Sequence, residues 1–97
     1  MIIKKLTKMP YAQAHVEITD NSTNLFSYVT LVASIDEDGW LEIYGLYSMT
    51  TRRHISAFLS EYCPSISYSS AKKIYEDGYR INIFTGEIIE INMEINP

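Results

Sequence analysis

The sequence predicts an α+β domain: a largely antiparallel sheet of hairpins, with one main helix (about 50–63) and a short second helix (about 70–77) on one face. Three observations predict it. Fourteen isoleucines and eight tyrosines among 97 residues favour strands. Apolar and polar residues alternate in the first half of the chain and again near its end. Between those regions the apolar spacing changes to that of a helix.

Residues 2–7 and 13–19 read as short strands, the second with Ala14, Val16 and Ile18 alternating with His15 and Glu17. Asp20-Asn21-Ser22-Thr23-Asn24 reads as a polar turn. Next comes a hairpin of 26–36 with 40–47. Val29, Leu31, Ala33 and Ile35 share one face of its first strand, and Leu41, Ile43, Gly45 and Tyr47 share one face of the second. A two-residue Asp38-Gly39 loop would set Ile35 against Glu42. A three-residue loop, Glu37-Asp38-Gly39, pairs Ile35 with Leu41 and Ala33 with Ile43, and puts Gly39 where a left-handed residue is needed.

Thr51, Ile55, Phe58, Leu59 and Tyr62 then recur at helical spacing, with Arg52, Arg53, Ser56 and Ser60 facing away. Ser48 or Thr50 is the expected N-cap, and Pro64 stops the helix after Cys63. A serine-rich stretch leads into the second helix, which Gly78 ends. A last hairpin, 79–84 with 88–95, matches its apolar faces only through an odd loop, Thr85-Gly86-Glu87. The outer side of its final strand carries Glu90, Asn92 and Glu94.

Size and composition bound the function. Ninety-seven residues, 46% of them hydrophobic, make one domain, 1–97, that can bury a core without disulfides. Twelve acids against eight bases, a net charge of −4, argue against a general polyanion binder. The lone cysteine excludes an intramolecular disulfide, and no metal or cofactor set is expected. With no secretory leader and no run of about 20 apolar residues, a cytoplasmic setting away from membranes is expected.

The heptapeptide Ser48-Met49-Thr50-Thr51-Arg52-Arg53-His54 is the most informative segment. Hydroxyls at a helix start are ordinary caps. Arginines there are opposed by the helix dipole by roughly 0.3–1 kcal/mol each, and neither has an acid four residues on to offset this. One reading makes Ser48, Thr50, Thr51, Arg52 and Arg53 an anion site. The other gives the arginines an internal partner, such as Glu42 or an acid of Asp36-Glu37-Asp38. His54 borders the apolar face and reads as a packed histidine, and Cys63 lies about 13 Å farther along the same helix, too far for a dyad. A metal site of His15, His54 and Cys63 is not favoured, and no catalytic set accompanies these residues. The protein is therefore expected to be no enzyme. Phe26, Tyr28, Trp40 and Tyr44 fall on the even face of the first hairpin, and displayed together they would suit the core of a protein interface unless the terminal strands cover them.

The stretch Ser27-Tyr28-Val29-Thr30-Leu31-Val32-Ala33, followed by Gly45-Leu46-Tyr47-Ser48-Met49-Thr50-Thr51-Arg52-Arg53-His54-Ile55 and Phe58-Leu59, resembles an uncharacterised family of short proteins. These are carried by phages, plasmids and integrated elements of low-GC Gram-positive bacteria. The resemblance spans roughly residues 26–62; Arg53 stands where lysine is at least as common. It implies a setting rather than a reaction: a mobile-element accessory protein that binds and inhibits a host defence protein, most sharply an anti-CRISPR inhibitor of a type II Cas nuclease. The expected partner-binding residues are Arg52, Arg53 and His54, then Tyr28, Trp40 and Tyr44 as anchors, then Glu90 and Glu94 as charge. Two alternatives stay open. One is a nucleic-acid accessory protein gripping phosphate through the helix start, helped by Lys72 and Lys73. The other is a structural protein that homo-oligomerises.

Overall fold

A computed structural model of the chain describes residues 1–91. The architecture is mixed α+β and strand-rich. Among the described residues seven strands form one antiparallel sheet in chain order: β1 (Ile2–Lys4), β2 (Ala14–Ile18), β3 (Ser22–Ser27), β4 (Thr30–Asp36), β5 (Trp40–Ile43), β6 (Tyr79–Asn82) and β7 (Ile88–Glu90). Helices α1 (Met49–Tyr62) and α2 (Tyr68–Glu76) connect β5 to β6, with α1 packed on β3 and β4, and α2 on β5 and β6.

The core follows from register. Val16, Leu25, Ala33 and Ile43 stand opposite one another across four strands, and Ile35, Leu41 and Ile81 do so across three. Apart from the half-buried Ile81, all are buried, in one cluster with Ile55, Phe58 and Leu59 of α1 and Ala71 of α2. The chain between β1 and β2 contributes too. Leu6 is fully buried, the Thr7 N–H donates to Glu61 Oε1 at 2.9 Å, and Lys8 Nζ donates to Ser60 Oγ at 2.6 Å. Residues 5–7, expected to extend the first strand, instead reach across to α1.

The Glu37-Asp38-Gly39 loop has the expected length, register and left-handed glycine, at φ +93°. The Asp36 carboxylate holds it, accepting from the N–H groups of Asp38 and Trp40 at 3.0 and 2.9 Å. Ser48 is the N-cap of α1, its hydroxyl accepting from the Thr51 N–H at 3.1 Å. The Cys63 N–H closes the helix on the Leu59 carbonyl, just before Pro64. The second helix starts at Tyr68, capped by Ser67, rather than near 70.

Three further expectations are corrected. Residues 22–24 are strand, because Thr19 makes the turn alone: its hydroxyl accepts the N–H groups of Asn21 and Ser22, leaving a two-residue loop. The strand expected over 26–36 is two strands, turning at Tyr28-Val29, and Tyr28 takes φ +57° where glycine would be usual. A bulge between Leu25 and Phe26 then makes Val32 the extra residue, so Val32 and Ala33 are both buried while Leu31 and Val29 are exposed. The last hairpin pairs Ile81 with Ile88 and Arg80 with Ile89, one register away from the apolar match. Asn82 forces this. Its buried Oδ1 accepts from Phe84 N and Thr85 N, and the Gly86 N–H closes on its carbonyl, which makes an even loop. The part of that strand beyond Ile91, with Asn92 and Glu94, lies outside the described residues.

Candidate functional site

The turn between β3 and β4 meets the start of α1, so the two segments that carried the sequence resemblance converge. Between them is a cleft of about 390 Å³ lined by Ser27, Tyr28, Thr30, Val32, Tyr47, Ser48 and Thr51. Six of these seven residues carry a hydroxyl and none carries a charge. Ser27 and Thr51 form its buried floor.

Beneath the floor runs a hydrogen-bonded chain. Ser48 Oγ donates to Thr51 Oγ1 at 3.2 Å, Thr51 Oγ1 is 3.2 Å from Ser27 Oγ, and Ser27 Oγ is 2.8 Å from His54 Nδ1. Ser27, Thr51 and His54 are all nearly inaccessible to solvent. Burial holds the His54 imidazole below its ordinary pKa, so it is neutral at pH 7. His54, expected as a packed histidine and also named as a partner contact, lies packed under the cleft, where a buried polar network fixes the turn to the helix.

Two tyrosines wall the cleft, and both are held. The Tyr28 N–H donates to the Gln13 carbonyl at 2.7 Å, and its ring, about half exposed, lies 6.0 Å from the His54 ring. The Tyr47 ring folds back over Gly45, and a Cβ on that glycine would stand 2.2 Å from the ring. Its hydroxyl donates to the Tyr44 carbonyl at 3.4 Å.

Arg52 lies one helical turn beyond Ser48 on the same stripe, partly buried, and its Nε is enclosed without a partner. Arg53 is exposed. Two of the internal partners weighed for them are engaged elsewhere: Glu42 pairs with Arg80 at 3.5 Å, and Asp36 holds its own loop. Among the described residues neither arginine has a carboxylate within ion-pair distance.

The other expected residues do not gather here. Trp40 and Tyr44 face away from the helices; the Arg80 guanidinium lies 5.4 Å over the Trp40 ring, and Tyr44 OH bonds Ser34 Oγ at 2.7 Å. Trp40 is at the far end of β4 from Tyr28, roughly 20 Å away along seven strand residues, so the aromatic anchors do not form one patch. Glu90 is exposed on the edge strand β7, and Glu94 lies outside the described residues. Lys72 and Lys73 pair with Glu76 and Asp77 along α2. No group of three or more His, Cys, Asp or Glu able to hold a metal occurs among the described residues. No helix among them is long and apolar enough to cross a membrane.

Sequence reasoning missed Ser27, Thr30, Val32 and Tyr47 as site residues, although all four stood in the segments that carried the resemblance. Their convergence needs the turn at Tyr28, which no glycine, asparagine or proline announces.

A protein-family model described as a family of unknown function (DUF8033) matches residues 2–77, which include every residue of the cleft. No curated protein and no solved structure matches the chain.

Proposed function

The chain belongs to this family of unknown function, and from that premise we propose that it acts by binding, as a mobile-element accessory protein that occupies and inhibits a host defence protein, most sharply a type II Cas nuclease. One observation carries the binding reading. The end of the molecule where the β3–β4 turn meets α1 exposes Tyr28, Val29, Tyr47 and Met49, beside two arginines that no carboxylate of the described chain neutralises. Monomeric proteins rarely leave aromatic, apolar and unpaired cationic groups together without a partner. The acidic residue Glu90 lies away from this end, so aromatic and arginine contacts carry the reading and acidic mimicry does not.

The test mixes the purified protein with a guide-loaded type II Cas nuclease and follows target cleavage. The expected result is stoichiometric inhibition that persists at 0.5 M salt, on the order of ten times the ionic strength at which phosphate contacts already weaken. Undiminished cleavage with no complex on gel filtration overturns the nuclease assignment. The unpaired arginines also favour a second reading, a phosphate-binding accessory protein. Binding to single-stranded DNA that collapses as salt rises would replace the first reading with that one.

A further inference from the structure

We propose that the cleft is a docking pocket for an acidic segment of a partner protein, which inserts one uncharged apolar or aromatic side chain beside Tyr28 and Tyr47 and sets carboxylates against Arg52 and Arg53. The inference rests on the binding reading but not on the identity of the host target.

Four features of the site point to this occupant. The backbone of the cleft is anchored, since the Tyr28 N–H bonds the Gln13 carbonyl and Ser27 bonds Thr51 and His54, and the Tyr47 ring rests on Gly45; a pocket whose main chain need not be ordered on binding loses less entropy. Its lining carries hydroxyls but no charged side chain, so a charged group inserted there would lose hydration without an ion-pair partner, which favours an uncharged one. Its volume, about 390 Å³, is at the small end of ligand pockets. Finally, Arg52, one helical turn beyond the lining Ser48, and Arg53, one turn beyond Met49, bring positive charge to the start of α1 in a molecule whose net charge is −4, and no acid of the described chain lies within ion-pair distance of them. Carboxylates flanking the inserted side chain would complete that pairing through charge-assisted hydrogen bonds. A nucleic-acid strand fits less well: the lysines of α2 are paired to Glu76 and Asp77 and do not extend the positive charge of Arg52 and Arg53.

The probe is a capped heptapeptide with a central phenylalanine flanked by aspartates, titrated into isotopically labelled full-length protein and followed by amide chemical shifts. Its counterparts carry lysines in place of the aspartates, or alanine in place of the phenylalanine. Saturable shifts at Tyr28, Tyr47, Arg52 and Arg53 are expected with the first peptide alone. The double variant Arg52→Gln/Arg53→Gln should weaken binding on the order of tenfold while keeping the native spectrum elsewhere. Gly45→Ala, which displaces the Tyr47 wall, should weaken it without touching a charge. Equal response to the aspartate and lysine peptides, or shifts confined to other surfaces, overturns the proposal. So does saturation of the same amides by adenosine monophosphate with no response to the peptide, which would make the site a nucleotide site. Loss of nuclease inhibition as a function leaves this titration unchanged. A silent titration with inhibition intact would put the inhibitory surface elsewhere, so the two readings fail separately.

Discussion

His54 sits in the middle of a helix start rich in hydroxyls and arginines, yet the structure hides it. Its Nδ1 bonds Ser27 Oγ, with Thr51 on the same hydroxyl and the Tyr28 ring beside it. Among the described residues no charged side chain bonds the imidazole. Desolvation by burial is what lowers its pKa. The unfolded chain therefore takes up a proton near pH 6.5 that the folded chain resists. The stability this group contributes is fully present above that pH and is lost as the pH falls below it, with a slope of at most about 1.4 kcal/mol per pH unit. Thermal melts between pH 5 and 8 should show Tm falling below about pH 6.5, and His54→Gln should flatten that part of the curve. An unchanged curve in the variant would mean the imidazole titrates freely. Beside it, Tyr28 holds a positive φ that costs a non-glycine residue roughly 1–2 kcal/mol. Strain of that kind concentrates where a side chain has work to do, consistent with the ring's role as a cleft wall.

Each helix and turn is set by a few side chains that bond the backbone. Asn82 is the clearest case. Besides holding the β6–β7 loop through Oδ1, its Nδ2 donates to the Asp38 carbonyl at 3.0 Å and so ties that loop to the β4–β5 loop. Phe84 completes the junction by covering Gly39, where a Cβ would stand 2.5 Å from its ring. Gly39 is thus required both by its φ and by its neighbour. Asn82→Ala should cost about 1–3 kcal/mol, because buried N–H and C=O groups lose their partners. The loss should be concentrated in faster hydrogen exchange at the amides of β6 and β7. A change within 0.5 kcal/mol, about the range of an unremarkable surface substitution, would mean the backbone holds the register unaided.

The sheet, α1 and α2 share one core, and Cys63 lies within it at the end of α1. Burial pushes the thiol pKa up to about 12, so at neutral pH it is protonated and unreactive. A thiol reagent should label it only from molecules that have opened, and the labelling rate then reads the stability of the whole. Phe58→Ala, which empties the centre of the cluster, should cost about 3–5 kcal/mol and speed labelling by at least a hundredfold. Rapid labelling of the native protein would show instead that the end of α1 opens by itself.

Where the sequence carried its own local instruction, it determined the outcome. Gly39 after Glu37-Asp38, the alternation through Leu41 and Ile43, Ser48 ahead of a helical period and Pro64 behind it each specify a backbone state within a few residues, and each was legible. The architecture class followed from the same periodicities. The register of the last hairpin was set by the local bonds of Asn82 to Phe84 N and Thr85 N, to which the distant Asp38 carbonyl adds a tie. Tertiary structure decided the turn at Tyr28, where a residue with no turn signal is held by the distant Gln13 carbonyl, and the bulge at Val32 that follows it. The candidate site shares that origin. Ser27 and His54 stand 27 residues apart, and only the folding of the β3–β4 turn onto the start of α1 brings them to hydrogen-bond distance. Periodicity reports which face a side chain takes along its own element. It carries no information about which two elements will meet, because that is decided by the packing of the whole core.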